Sequence, residues 1–445
     1  MRSSSLTGLG TLLTAAFVAI LFAPTAYARG GVSNAEMHGW LEFVEACEYR
    51  TATLAAEAHL ASAEEMYGRN HLKVADALIS LSRVLIAQDR YDEAAPQIQR
   101  ATSIRQKKLG AGHISVTSAT ELLGYTYYRK GQYKKAEPVL VQCLEARERA
   151  GDVNSPELAT TLYLLGRIYS GERMYAEAEG PYVKSLKIRR AFFGDDHLLV
   201  ARSAAALGTL YQTVRMYDEA GPLFERAVAI ASAADGDNLP VLAYSLGGLA
   251  WWNLDQGRLE DAEPLFLRSL ELYKAAEIEF DLDLASTEER LARMYYSQER
   301  FEEAHSLFRS VLEIRIEIWG KLHPDVAAGW NNMAFVLEAR GRSEAAEQCL
   351  IQVVAIYENY YGKNHPNVSV ALANLAGFYY DRDKFYQALP LYRRAIAINE
   401  IIYGVDHQSL LPLLDGVVAC YESIDEATEG SVYRVRARKI RAVSR

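Results

Sequence analysis

The side chains with most chemistry to offer in this 445-residue chain are nine histidines and four cysteines. His71, His113, His197, His323, His365 and His407 share one 42-residue register. Metal ligands must converge on a single ion at about 2 Å. Equivalent residues of stacked helical layers stand at least one interhelical spacing apart, about 8–10 Å. The histidine column therefore reads as a structural loop element, with no metal site. Cys47, Cys143, Cys349 and Cys420 never fall in the same or adjacent repeats. A disulfide needs Cα atoms within about 7 Å, so all four read as small packing residues. The chain lacks a phosphate-cradling Gly-x-x-x-x-Gly-Lys, a His-Glu-x-x-His and a Gly-x-Ser-x-Gly elbow. The expectation is a protein without catalytic residues or cofactor.

Half of the residues are hydrophobic, 24% are charged and the net charge is -9. That is globular composition, and its sign argues against nucleic acid as a partner. Arg2, an uncharged apolar run from Leu9 to Phe22, Pro24 and Ala26-Tyr27-Ala28 have the order of a secretory signal. Residues 1–28 are expected to be removed after Ala28, giving a periplasmic or secreted protein; the alternative is an uncleaved anchor. No later stretch reaches 18 uninterrupted apolar residues, so no integral span is expected after signal removal.

The elements that carry these residues follow from a repeat. Ala94, Ala136, Ala178, Ala220, Ala262, Ala304, Ala346 and Ala388 recur every 42 residues without insertion or deletion. Thirteen residues before each stands Leu, or Met333, followed by a small residue such as Gly124, Gly166 or Ala250. Three residues before each alanine the residue is usually aromatic, with Leu259 and Ser343 departing. Leu78, Leu81, Ser82 and Leu85 make one helical stripe, and Leu265, Phe266, Leu270 and Leu272 make another. Gly131, Gly257, Gly341, Asp89 and Asp383 mark a left-handed turn between the two helices. Pro96, Pro138, Pro222, Pro264 and Pro390 are expected in or near the first turn of the second helix. Each repeat is then a helix hairpin whose one apolar face is buried only by stacking on its neighbours.

Gly320-Lys321-Leu322-His323-Pro324, His323-Pro324-Asp325-Val326-Ala327 and Asn331-Asn332-Met333-Ala334 resemble the 42-residue tetratricopeptide repeats of kinesin light chains and their bacterial relatives. The resemblance covers eight repeats over residues 69–404. It implies an all-α, right-handed superhelical solenoid whose first helices line a concave, peptide-binding groove. Residues 29–68 read as a degenerate N-terminal capping helix pair. Residues 405–445 read as a C-terminal capping repeat that loses about three residues at its turn and ends on a basic helix. That helix is a solvated cap or, alternatively, a basic tail making weak envelope or membrane-surface contact.

The groove columns combine arginine and large aromatics, the composition of binding hot spots. One column holds Arg83, Tyr125, Arg167, Trp251, Arg293 and Phe335; the next holds Tyr128, Tyr296 and Tyr380. Tyr163 and Tyr244 add to the same surface. The resemblance also implies an asparagine that clamps peptide backbone, matched here at Asn332 and Asn374 and not in the other repeats. The reading is an exported, non-enzymatic scaffold, in a bacterial periplasm by family habit, that binds a protein or peptide segment. The alternatives are a ligand-binding or enzymatic protein using the aromatic groove as a pocket, and a self-assembling solenoid joined through its ends.

Overall fold

A computed structural model describes residues 49–234, 238–276, 278 and 281–443. The signal segment 1–28, residues 29–48 of the N-terminal cap, Cys47, Gly236 and Arg445 lie outside the described residues. Among those described there are nineteen α-helices and no strand. Helix α1 (Tyr49–Tyr67) precedes the first complete hairpin, with Tyr49 and Ala52 in register. The hairpins follow as α2 (Leu72–Ala87) with α3 (Tyr91–Leu109), α4 (Ile114–Arg129) with α5 (Tyr133–Arg149), α6 (Pro156–Gly171) with α7 (Tyr175–Phe193), and α8 (Leu198–Thr213) with α9 (Tyr217–Ala233). Next come α10 (Leu239–Asp255) with α11 (Leu259–Ala275), α12 (Leu282–Ser297) with α13 (Phe301–Trp319), α14 (Pro324–Ala339) with α15 (Ser343–Tyr361), and α16 (Pro366–Tyr380) with α17 (Phe385–Tyr403). The last hairpin is α18 (Leu411–Ser423) with α19 (Ala427–Val443). The chain forms an N-terminal compact unit to Thr287 and a C-terminal one from Glu288.

The register alanines explain the hairpins. Ala94, Ala136, Ala178, Ala220, Ala262, Ala304, Ala346 and Ala388 are all 0% exposed, so each stands where helices leave room for a methyl group only. The small residue after the leucine column faces a large side chain of the second helix. A Cβ built on Gly166 would lie 2.7 Å from the Tyr182 ring, and one on Gly124 would lie 2.6 Å from Leu140.

The turn column holds a left-handed residue in every hairpin. Asp89, Gly131, Gly257, Gly341 and Asp383 adopt positive φ as their types suggest, and so do Arg173, Arg215, Glu299 and Asp425. Asp425 lies 42 residues after Asp383, and α19 starts 42 residues after α17. The last hairpin therefore keeps the full register, and the expected loss of three residues at its turn does not occur. The prolines also sit deeper than expected. Helix α3 starts at Tyr91, which puts Pro96 in its second turn, where it leaves the carbonyl of exposed Asp92 without its helical donor.

The histidine column caps the first helices, or, at His407, the short 3-10 helix Gln408–Leu410 that leads into α18. Nδ1 of His71, His113, His197, His323, His365 and His407 accepts the backbone N–H two residues on, at 3.1–3.2 Å. Five of these rings also stack on the aromatic residue four positions earlier. The pairs are Tyr67 with His71, Phe193 with His197, Trp319 with His323, Tyr361 with His365 and Tyr403 with His407, at centroid distances of 4.1–4.9 Å. Between each pair lies a glycine at positive φ, from Gly68 to Gly404. The unit is thus aromatic-Gly-x-x-His, closing one second helix and opening the next first helix. Cys143, Cys349 and Cys420 are buried and unpaired, as packing residues should be.

Four cations of α19 bind carboxylates within the C-terminal unit. Arg434 pairs with Glu422, Arg436 with Glu400, Lys439 with Asp406 at 3.0 Å, and Arg441 with Asp415 at 2.5 Å. These pairs tie the helix to α17, α18 and the loop between them. None of the helices among the described residues is long and apolar enough to cross a membrane.

Ala220→Leu or Ala262→Leu is expected to destabilise the protein by about 1–3 kcal/mol through overpacking; a denaturant melt measures it, and an unchanged midpoint would place the column on the surface. The caps also predict a pH dependence. Burial, followed by Arg189, holds His197 below the ordinary histidine range; burial, partly opposed by Asp325, does the same to His323. The fold favours their neutral form, so the unfolded chain takes up the proton first. Their contribution is complete above the unfolded value of about 6.5 and is lost as pH falls through the lower folded values. His197→Asn with His323→Asn keeps a capping acceptor and removes the titration. The stability difference between pH 7.5 and 5.5 should shrink in that variant; an unchanged difference would exclude the caps as its source.

Candidate functional site

The inner face of the N-terminal unit is built from first helices that deliver one residue per turn to the same side. Helix α4 brings Tyr125, Tyr128 and Arg129, α6 brings Tyr163 and Arg167, α8 brings Arg202 and Thr209, and α10 brings Tyr244. At their centre Arg167 makes a bidentate pair with Asp283 in the first turn of α12, with Nη1 donating at 3.0 Å and Nη2 at 2.8 Å. The partners are 116 residues apart in the chain. The Arg167 guanidinium lies 5.8 Å from the Tyr128 ring centroid and 5.6 Å from that of Tyr244. Thr209 Oγ1 is 3.1 Å from the Tyr244 hydroxyl.

Tyr163 is the second focus. Its hydroxyl accepts from Arg202 Nε at 3.1 Å and Arg167 Nη1 at 3.3 Å. The guanidinium groups of Arg189 and Arg202 lie 4.9 and 5.0 Å from its ring centroid. Burial alone would push the phenol up, but the charges of Arg202, Arg167 and Arg189 prevail and hold it below its ordinary value. Burial, opposed by Arg167, pushes Tyr128 and Tyr244 up. Arg189 is 0% exposed and pushed down to about 9 by burial and then by Arg202, and its Nε and Nη2 have no hydrogen-bond partner. For Arg167 the desolvation is outweighed, first by Asp283, and the group stays firmly charged.

Asp281 stands in the histidine column and does the same work: its Oδ1 accepts the Asp283 N–H at 2.7 Å. Burial and the neighbouring Asp283 carboxylate raise its pKa, against the attraction of Arg129. The glycine and histidine columns are filled here by Ile278 and Asp281, as they are by Asp152 and Ser155 three junctions earlier, so departure from the repeat does not by itself signal the contact. Neither Asp283 nor Arg202 was singled out from sequence.

The expected site residues separate into two groups. Tyr125 and Tyr128 are buried, at 1% and 9% exposure, with ring centroids 6.5 Å apart. Their faces are covered by neighbouring hairpins, so the expectation that they line an open surface is not met. Arg83 is half-buried and pushed down to about 10 by burial and then by Arg105, and its Nε lacks a partner. Trp251 is half-buried. Arg167 meets a carboxylate as its type suggests, and the carboxylate is the chain's own.

In the C-terminal unit the same columns are more open. Phe335 is 51% and Tyr296 37% exposed, and Arg293 and Asn374 are also exposed. Arg293 Nη2 donates to Glu289 at 2.7 Å, and Asn332 Nδ2 donates to the same carboxylate at 2.9 Å. Arg315 completes that cluster. Burial would raise Glu289, but Arg315 and Arg293 hold it below the usual carboxylate range. The Asn332 amide nitrogen is thus engaged inside the protein. Asn374 Nδ2 donates to Asn331 at 3.3 Å, and Tyr380 meets Phe385 edge-on at 5.4 Å. Among the described residues no group of three or more His, Cys, Asp or Glu could hold a metal ion.

Removing one partner of a buried ion pair leaves the other desolvated and unpaired, at a cost of about 3–5 kcal/mol. Arg167 and Asp283 are 13% and 25% exposed, so Asp283→Ala should cost somewhat less, about 2–4 kcal/mol. A joint Arg167→Met, Asp283→Leu variant should recover part of the loss in a urea melt. Equal stability of Asp283→Ala and the parent would show that the pair contributes nothing.

Tetratricopeptide repeat family models match residues 74–115, 115–191, 206–275, 253–317 and 325–401. No curated protein matches the chain. Among solved structures, a putative kinesin light chain from Podospora anserina with nearly identical tetratricopeptide-like repeats is 25% identical, covering 46% of this chain and 98% of that one, at a TM-score of 0.42. The apo form of the quorum sensor NprR from B. thuringiensis is 15% identical over 82% of this chain and 97% of that one, at a TM-score of 0.54. Human IFIT1, solved as a dimer with m7Gppp-AAAA, is 14% identical over 99% and 96%, at a TM-score of 0.52. With its register alanines buried and the family models matching most of its length, this chain belongs to the tetratricopeptide repeat family.

Proposed function

We propose that this protein is a non-catalytic interaction scaffold that holds a segment of a partner protein on the inner faces of its hairpins, in an extracytoplasmic compartment. The observation that carries the reading is the exposure of Arg293, Tyr296 and Phe335 on successive first helices of the C-terminal unit, in columns that deeper in the fold are packed. Arginine and large aromatics combine buried area with directional hydrogen bonds, which is why they dominate binding energies. Export rests on the order of basic start, apolar run and Ala26-Tyr27-Ala28 in the sequence. N-terminal sequencing of protein recovered from cells should begin at Arg29.

The functional test is an Arg293→Ala, Tyr296→Ala, Phe335→Ala protein, checked first for an unchanged helical spectrum. Arg167 is a poor choice for such a test because its removal leaves Asp283 without its guanidinium, whereas Glu289 keeps Arg315 and Asn332 when the exposed Arg293 is truncated. Truncating hot spots costs about 2 kcal/mol or more each, so partners retained by the parent on an affinity column should be lost. The same partners at the same yield would place binding elsewhere on the molecule.

A further inference from the structure

We propose that a cationic notch beside the first complete hairpin of the N-terminal unit is a binding site for a phosphate monoester. Asn70, between α1 and α2, lines a cavity of about 380 Å³ together with Arg100, Ser103, Ile104, Lys107 and Lys108 of α3. The α3 residues follow one another at intervals of three, one, three and one, which puts them on one side of the helix. The volume falls within the range of small-molecule sites, about 300–1,000 Å³. The site goes beyond the scaffold reading, because α3 is a second helix and none of these five α3 side chains belongs to the first-helix columns.

The charges around the cavity do not cancel. Arg100 holds Glu64 at 2.5 Å, Arg69 approaches the same carboxylate at 3.8 Å, and Arg100 Nη2 donates to the Arg69 carbonyl at 3.1 Å. Glu64 thus offsets the guanidinium that lines the cavity. Lys107 and Lys108 are exposed, and no carboxylate among the described residues pairs with either. Two uncompensated ammonium groups stand side by side in a chain of net charge -9, so overall composition does not account for them. Nor does the hairpin require them. The same two columns hold Ala191 and Phe192, Ala275 and Ala276, and Ile401 and Ile402 in other repeats.

The ligand class follows from charge and donor count. Two lysines balance the dianion of a phosphate monoester, whose three terminal oxygens are strong acceptors. The lining supplies the donors: two ammonium groups, the Arg100 guanidinium, the Ser103 hydroxyl and the Asn70 amide. A carboxylate brings one charge and two oxygens, and leaves one lysine unbalanced. Ile104 adds an apolar contact for the organic part of the ester. Such a group comes either on a soluble metabolite or on a phospholipid head, and the recognition chemistry is the same.

The test is calorimetric titration of the full chain at constant ionic strength with two probes, glycerol phosphate and the water-soluble lipid dihexanoyl phosphatidic acid. The parent should bind at one site. Lys107→Gln with Lys108→Gln should weaken binding by about tenfold or more, since each charge-assisted hydrogen bond is worth at least that factor. Ser103→Ala should give a smaller loss, and Lys187→Gln, at an exposed lysine of α7, should give none. Acetate should bind at least about tenfold more weakly than glycerol phosphate. Tighter binding of the lipid than of glycerol phosphate supports the proposal with a phospholipid head as the source; the reverse order supports it with a soluble ester. No binding of either probe, equal affinity of the parent and the double lysine variant, an equal loss in Lys187→Gln, or equal affinity for acetate would each overturn it. None of these results touches partner binding through Arg293, Tyr296 and Phe335, so the scaffold reading stands or falls separately.

Discussion

The close approach of helices at the register alanine is the contact on which the rest of the structure depends. Each of the eight alanines is fully buried, and a larger side chain there would push the second helix away from the first. Once that distance is set, the residue after the leucine column must be small, because Tyr182 or Leu140 already fills the space beside Gly166 or Gly124. The first helices are then held with one side towards the inner face. Arginine and tyrosine on that side are delivered in columns because the helices beneath them repeat without insertion.

The junctions solve a second problem that close packing creates. Helix ends leave backbone N–H groups and carbonyls without partners, and a stack of hairpins has two such ends at every turn. One histidine column meets this need by accepting an N–H through Nδ1 and presenting its ring to the aromatic residue of the preceding helix. The hairpin turn meets it with a left-handed residue. Arg173, Arg215 and Glu299 adopt that conformation although their side chains disfavour it, so tertiary packing overrides local preference there.

The period, the hairpin and the faces of the helices were legible in the sequence because each follows from local spacing. The buried alanine column was readable from the unbroken 42-residue register, and so was the left-handed turn at Gly131 and Asp383. The histidines were recognisable as structural, but their aromatic partners four residues earlier were not, since a stack depends on how the chain turns between them. The exposure of the groove columns was the least legible property. Tyr125 and Phe335 stand in the same column, yet one is 1% and the other 51% exposed. Column position fixes the direction of a side chain; the residues opposite decide whether solvent reaches it.

The Arg167 and Asp283 pair shows why that decision lies beyond repeat analysis. A solenoid's energetics are dominated by contacts between neighbouring hairpins, whereas this contact joins the third repeat to the start of the sixth. It joins hairpins that are not sequence neighbours, a pairing that no local spacing encodes. Two charges held at 13% and 25% exposure forfeit much of their hydration, and their mutual attraction only offsets that loss. The pair is therefore held less by its own net energy than by the cost of leaving either charge bare.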